Sequence, residues 1–95
     1  MRYEIVLARE AADDLHRLPA NLRAEVKAAL EKHLRYRPTS ISKSRIKRLR
    51  GLSRPQYRLR VADIRVFYDV SEGLVEVLAI VPKSGVDEWL ERVGE

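Results

Sequence analysis

The chain has 95 residues, a formal net charge of +5 and 45% apolar residues, which fits one small domain and excludes a wholly disordered chain. It has no cysteine and only two histidines, so disulfides, cysteine-ligated zinc and thiol nucleophiles are excluded and no metal is expected. No apolar run reaches the roughly 18 residues of a membrane span, and the amino terminus lacks a signal-peptide core. We therefore expect a cytoplasmic protein that does not bind a membrane.

The amino-terminal half is predicted to form one strand and two helices. Residues Tyr3–Leu7 are rich in strand formers, and apolar residues at helical spacing follow from Ala8. Pro19 ends this first helix, because proline cannot continue a helical hydrogen-bond pattern. A second apolar stripe predicts a helix over residues 20–36, which Pro38 closes.

The carboxy-terminal half is predicted to form an antiparallel meander and a short acidic helix. The meander strands are Ile46–Leu49, Tyr57–Val61, Ile64–Val70 and Leu74–Val81. The last of these strands is almost entirely apolar, so we expect it to be central in the sheet. We expect an α+β fold over residues 1–95, in which a two-helix hairpin packs on one face of an antiparallel sheet.

The positive charge is concentrated in one segment. Residues 43–65 hold nine basic residues and one acidic residue, whereas residues 66–95 hold two basic and seven acidic residues. A basic block of this kind indicates a polyanionic partner, either a nucleic acid or an acidic protein segment. The alternative is a solvated surface that keeps the protein soluble.

A two-residue turn at Ala62-Asp63 would bring arginines of two strands together. In that register Arg60 faces Arg65 and Arg58 faces Phe67, and all four side chains share one face of the sheet. A register slip of one residue would break this arrangement.

Two interpretations of this arginine cluster are open, because like charges directly opposite each other destabilise a sheet. Carboxylates such as Asp69 or Glu76 could neutralise the cluster. We favour a preformed anion site, in which guanidinium groups beside the Phe67 ring bind a phosphate and a base.

The element order and two segments, Arg48–Leu52 and Tyr57–Tyr68, resemble the RelE/ParE superfamily of toxins from type II toxin–antitoxin systems. The most specific part is Leu-x-Gly followed by Tyr-Arg-Leu-Arg-x-x-x-x-Arg-Val-x-Tyr, within residues 49–68. RelE-like members cleave mRNA in the ribosomal A site, whereas ParE-like members poison DNA gyrase. The resemblance also implies a small antitoxin that wraps the toxin and holds it inactive.

The resemblance implies catalytic roles for four residues. Arg58 and Arg60 match a basic pair, often lysine in RelE-like toxins, that binds phosphate and assists deprotonation of the 2′-hydroxyl. Arg65 matches the arginine that stabilises the phosphoryl transition state. Where the family often has a further arginine as general acid, Lys83 is the nearest basic group and Ser84 stands at or beside that position.

Other residues are expected to bind RNA without reacting. They are Lys47, Arg48, Arg50, Arg54, Phe67 and Ser84. RelE itself has a tyrosine near the carboxy terminus that stacks on the substrate base, but no tyrosine follows Tyr68 here. Trp89 stands in that region, and its helical spacing with neighbouring apolar residues favours a place in the core. No cofactor is expected, because the 2′-hydroxyl is itself the nucleophile.

Three functions stay open at this point. We favour a ribosome-dependent mRNA interferase, because the set Arg58, Arg60 and Arg65 is retained. The arginines in place of lysines and the missing tyrosine keep a ParE-like gyrase inhibitor possible, and a catalytically degenerate, antitoxin-binding co-repressor is the third reading. The expected partners are a cognate antitoxin with a largely acidic, partly disordered binding segment, the ribosome and mRNA, with operator DNA bound only through the antitoxin.

Overall fold

A computed structural model describes residues 1–95 and contains every helix and strand that the sequence predicts. In chain order these are β1 Glu4–Leu7, α1 Arg9–Arg17, α2 Ala20–Leu34, β2 Ile46–Arg48, β3 Tyr57–Val61, β4 Ile64–Ser71, β5 Leu74–Pro82 and α3 Val86–Val93. A single 3-10 turn, Lys83–Gly85, links β5 to α3. None of the helices is both long and apolar enough to cross a membrane.

The five strands form one sheet in the order β1-β5-β4-β3-β2. The meander strands pair antiparallel, whereas β1 pairs with β5 in parallel. A parallel pair needs a crossover connection, and the segment from α1 to β4 provides it. The apolar strand β5 is interior, as expected for a strand with apolar side chains on both faces, although β4 occupies the centre of the sheet.

One face of the sheet packs against α1 and α2 and forms the main core. Leu59, Val66, Tyr68 and Val77 are completely buried there, together with Val26 of α2. These strand residues alternate with residues of the opposite face, which is the pattern that the β3–β4 sequence predicts.

A β-bulge in the β4–β5 pairing lies between Phe67 and Tyr68. Because of this bulge, Val77 and Ile80 both enter the main core although they are three residues apart. The Asp14 carboxylate of α1 accepts a hydrogen bond of 2.9 Å from the backbone N–H of Ile80. This contact ties α1 to β5 beside the bulge.

The opposite face of the sheet is only partly covered. Helix α3 packs there through Trp89, which is 6% exposed and stacks on Phe67 with ring centroids 4.8 Å apart. The Trp89 indole N–H donates a hydrogen bond of 2.7 Å to the Glu10 carboxylate. The helix therefore covers the β4–β5 part of this face and leaves the side chains of β2 and β3 more exposed, and the candidate site lies there.

Candidate nucleic-acid interface

The turn between β3 and β4 has the predicted length and register. Arg60 pairs with Arg65 and Arg58 with Phe67 across the two strands. Ala62 has a φ of 52°, and a positive φ at only the first of two turn residues is typical of a type II′ hairpin turn. Arg65 Nη1 donates hydrogen bonds to the carbonyl oxygens of Ala62, at 2.9 Å, and Ile64, at 3.1 Å. One of the three arginines therefore also holds the turn that aligns the other two.

The three arginines differ in their exposure. Arg60 is exposed, Arg58 is half-buried and Arg65 is only 8% exposed. The Nε of Arg58 is buried and has no hydrogen-bond partner. Burial lowers the pKa of Arg58, and the charges of Arg65 and Arg60 lower it further. An anion bound here would stabilise a cluster of cations that is otherwise in mutual repulsion.

The carboxylates that could neutralise the cluster are engaged elsewhere. Asp69 and Glu76 form ion pairs with Arg54, at 3.6 Å from Nε and 3.4 Å from Nη2 respectively. Asp69 also accepts a hydrogen bond of 2.8 Å from the backbone N–H of Gln56. No ion pair of the structure involves Arg58, Arg60 or Arg65, and we call these three residues the arginine face. The neutralisation left open by the sequence does not occur.

Lys83 and Ser84 lie at the same end of the sheet as the β3–β4 turn. The backbone N–H of Lys83 donates a hydrogen bond of 2.7 Å to the Asp63 carbonyl. Both side chains are exposed and line an open groove of about 550 Å³ together with Asp63 and Asp87. The Lys83 side chain is therefore exposed in a groove that Asp63 of the β3–β4 turn also lines.

The other basic candidates do not all share the arginine face. Lys47 is exposed and pairs with Arg58, so it lies on that face. Arg48 pairs with Tyr57 and lies over its ring at 5.1 Å, on the face that packs against the helices. Arg50 is exposed in the connection after β2, and Arg54 is held in its two ion pairs.

The expectation that the Phe67 ring stacks on an RNA base is wrong. Phe67 is completely buried, and its ring is covered by Trp89 of α3. The alternation of β4 placed Phe67 on the correct face, but it did not show which part of that face a helix covers. The signal for this burial was the apolar spacing around Trp89, which indicated a core position for that residue. The core position of Trp89 is confirmed.

A second group of basic side chains was not foreseen. Lys32, His33, Arg37 and Arg45 line a pocket between the end of α2 and the start of β2. Burial lowers the pKa of His33, and the charges of Arg45 and Lys32 act in the same direction. The sequence does not reveal this group because its members come from two segments that only the fold brings together.

The fold is shared with toxins of RelBE systems. The RelBE2 toxin–antitoxin complex of Mycobacterium tuberculosis is 23% identical, with a TM-score of 0.74 over 86% of this chain and 92% of that chain. An archaeal RelE–RelB complex from Pyrococcus horikoshii is 24% identical, with a TM-score of 0.70 over 87% and 97%. A mutant of E. coli RelE in the free state is 20% identical, with a TM-score of 0.69 over 98% and 99%. The chain therefore has a RelE-like toxin fold.

The sequence model of the ParE toxin of type II toxin–antitoxin systems matches residues 5–85. The chain belongs to this family, and it is a type II toxin of the RelE/ParE superfamily. The resemblance seen in the sequence is thereby confirmed. No protein with curated function matches the chain.

Proposed function

We propose that this toxin is a ribosome-dependent mRNA interferase that inhibits translation, with residues 1–95 acting as one toxin domain. The observation that carries the proposal is the arginine face, in which three cations lie together without a carboxylate partner. Guanidinium groups bind phosphate through charge-assisted hydrogen bonds, and they stabilise the negative charge that develops on a phosphate under attack.

The proposed reaction is a metal-independent transesterification of RNA. The 2′-oxygen forms a bond to the scissile phosphorus, and the bond from phosphorus to the 5′-oxygen breaks. The products are a 2′,3′-cyclic phosphate and a 5′-hydroxyl. The 2′-hydroxyl proton passes to solvent water, and the leaving 5′-oxygen gains one proton. Arg58 and Arg60 bind the phosphate. Arg65, which is hydrogen-bonded to the turn, stabilises the transition state.

Proton transfer requires a further group, because a guanidinium rarely gives up its proton. Lys83 is the candidate donor to the leaving 5′-oxygen, since its ammonium is exposed in the groove beside the turn. Ser84 lies in the same groove and would contact the RNA backbone through its hydroxyl group. Alignment of the 2′-hydroxyl is left to the ribosome, which would explain a requirement for it.

The proposed partner is a cognate antitoxin. Two of the three similar structures described above are toxin–antitoxin complexes, which supports such a partner here. A mostly acidic antitoxin segment would neutralise the arginine face and keep RNA away from it. Operator DNA would then be bound only through the antitoxin, and the complex would act in the cytoplasm.

Inhibition of DNA gyrase is the second candidate, because the matching family model is that of ParE. The two candidates differ in what happens to mRNA. A gyrase inhibitor stops growth and leaves mRNA intact, whereas an interferase produces new 5′ ends within translated codons. A degenerate co-repressor causes no growth defect when it is expressed alone.

Primer extension on a reporter mRNA after brief induction tests the proposal. We expect new 5′ ends with the wild type and with Arg54→Ala, whose arginine is already ion-paired. Arg65→Ala should abolish the ends, and Arg60→Ala should reduce them at least about tenfold. Because Arg65 also holds the turn, circular dichroism and urea denaturation must show that each variant is folded.

The outcomes separate the three functions. Intact mRNA with growth arrest would replace the proposal with gyrase inhibition, and intact mRNA with normal growth would leave an antitoxin-binding co-repressor. Unchanged cleavage by folded Arg60→Ala and Arg65→Ala proteins would show that another site carries the reaction.

A further inference from the structure

The pocket at the end of α2 is a compact, strongly basic site outside the arginine face. It encloses about 260 Å³ and is lined by Lys32, His33, Arg37, Ser40, Ser42, Arg45 and Ile46. Four of these residues are Lys, Arg or His, two carry hydroxyl groups, and none is a carboxylate. We call this set of residues the α2 pocket.

The simplest structural explanation accounts for only part of the pocket. Lys32 and His33 lie in the last turn of α2, where cations are favoured by the exposed carbonyl groups of the helix end. Arg37 and Arg45 come from the connection between α2 and β2, outside the helix. Neither forms an ion pair with any carboxylate of the protein.

The wall of the α2 pocket is already fixed in the free protein. Ser42 Oγ accepts hydrogen bonds from the backbone N–H groups of Arg45, at 3.0 Å, and Ile46, at 3.2 Å. The preceding connection is anchored at Pro38, whose carbonyl oxygen accepts a hydrogen bond of 2.6 Å from the Tyr68 hydroxyl. The backbone that carries Ser42 and Arg45 is therefore held in place before an anion enters, which lowers the entropic cost of binding.

The α2 pocket adjoins the arginine face through one residue pair. The backbone N–H of Arg60 donates to the Arg45 carbonyl at 2.8 Å, and Arg45 Nη1 donates to the Arg60 carbonyl at 3.3 Å. Arg45 thus belongs to the pocket and is bonded to a member of the arginine face. The two basic sites therefore meet where the start of β2 contacts the end of β3.

We propose that the α2 pocket binds a second backbone phosphate of the RNA strand whose scissile phosphate lies on the arginine face. This inference rests on the proposed RNA cleavage and adds a positioning site to it. Contacts to phosphate alone fix the position of a strand without reading its sequence. The pocket would therefore raise affinity for longer RNA and set which phosphate reaches Arg58 and Arg60.

An RNA phosphate fits the α2 pocket better than an acidic antitoxin segment does. A disordered protein segment that folds on binding needs apolar surface to offset its loss of conformational freedom. Ile46 is the only apolar residue of the lining. The combination of guanidinium groups with serine hydroxyls is instead typical of phosphate recognition.

Binding of 2′-O-methyl RNA, which cannot be cleaved, tests the inference by fluorescence anisotropy. The probes are a dinucleotide and an oligonucleotide of about ten nucleotides. The variant Lys32→Ala/Arg37→Ala removes two cations from the pocket, and Arg2→Ala/Lys27→Ala removes two exposed cations elsewhere. We expect the pocket variant to bind the longer RNA about tenfold more weakly, with a salt dependence reduced by about one unit per lost phosphate contact. Dinucleotide binding and the control variant should be unchanged.

Arg60→Ala in the same assay separates this inference from the proposed function. Weaker binding of both probes by Arg60→Ala, with no effect of the pocket variant, would overturn the second site and leave the arginine face in place. No effect of Arg60→Ala on either probe would count against the proposed function itself. A pocket variant that lost antitoxin binding but kept RNA binding would assign the pocket to the antitoxin and overturn the inference.

Discussion

The sheet face opposite α1 and α2 carries arginines at both of its ends, and their surroundings differ. At one end Arg54 lies within 3.6 Å of Asp69 and 3.4 Å of Glu76, and its charge is matched inside the protein. At the other end Arg60 stands directly opposite Arg65 with no carboxylate partner. Asp69 lies four residues beyond Arg65 on β4 and pairs with Glu76 of β5, so both carboxylates are at the first end.

This difference indicates which arginines stabilise the fold and which are available to a ligand. A half-exposed pair such as that of Arg54 contributes at most about 1 kcal/mol to stability, because water screens it. Cations that repel one another lower stability instead. The polyanion proposed above would offset this repulsion when it binds.

Trp89→Ala should give the largest change in stability, because it removes the side chain through which α3 packs on this face. Trp89 is 6% exposed, stacks on Phe67 and bonds to Glu10. We expect a loss of about 3–5 kcal/mol in the free energy of unfolding, measured by urea denaturation. Trp89→Phe keeps the stack and should lose about 1 kcal/mol. Equal stability of both variants would contradict the packing described for α3.

Reversing one charge at each end tests the comparison itself. Arg60→Glu places a carboxylate opposite Arg65, so we expect RNA affinity to fall more than tenfold while the free energy of unfolding rises by about 0.2–1 kcal/mol. Arg54→Glu puts three carboxylates together and should lower stability by less than about 1 kcal/mol.

Anisotropy at fixed salt and urea denaturation give both quantities for the two variants. RNA affinity in Arg54→Glu should stay within about threefold of the wild type, since Arg54 and its two carboxylates lie at the opposite end from Arg60 and salt screens their charge. Equal losses of RNA affinity in Arg60→Glu and Arg54→Glu would contradict the difference between the two ends.

Ala62→Gly should stabilise the β3–β4 turn that aligns the arginines. Ala62 has a φ of 52°, where a glycine is free of the Cβ clash that an alanine experiences. The relief exceeds the extra freedom of glycine in the unfolded chain, so we expect a gain of about 0.5–1 kcal/mol in thermal or urea unfolding. A loss of stability would show that the turn does not need a left-handed residue.

The smallest effect concerns the α2 pocket and pH. The pKa of His33 lies below 6.5 in the folded protein, so the unfolded chain binds its proton more readily. Stability from neutral His33 is therefore complete above pH 6.5 and is lost as the pH falls through the lower, folded pKa. His33→Gln should flatten the stability profile below about pH 6.5, where the wild type loses stability as the pH falls through the folded pKa of His33. The same slope in both proteins would contradict this.

The sequence predicted the register of the arginine face because two local signals agree there. A two-residue turn fixes the pairing, and alternation along β3 and β4 then decides the face of each side chain. The partners of Arg54 could not be predicted, because residues 49–56 have no periodicity that places a side chain. The burial of Phe67 depends on where α3 docks, and the α2 pocket depends on where the connection after α2 folds back. Both are long-range events that no local pattern encodes.

Cleavage of a defined mRNA on purified ribosomes tests most directly whether the unpaired arginines support RNA cleavage while the ion-paired Arg54 does not. The wild type and Arg54→Ala should cleave within the codon of the A site at rates within about threefold, leaving 2′,3′-cyclic phosphate ends. Arg60→Ala should cleave at least about tenfold more slowly, because it loses a contact to the phosphate in the transition state. Equal rates for Arg60→Ala and the wild type, or no cleavage by the wild type, would contradict the account.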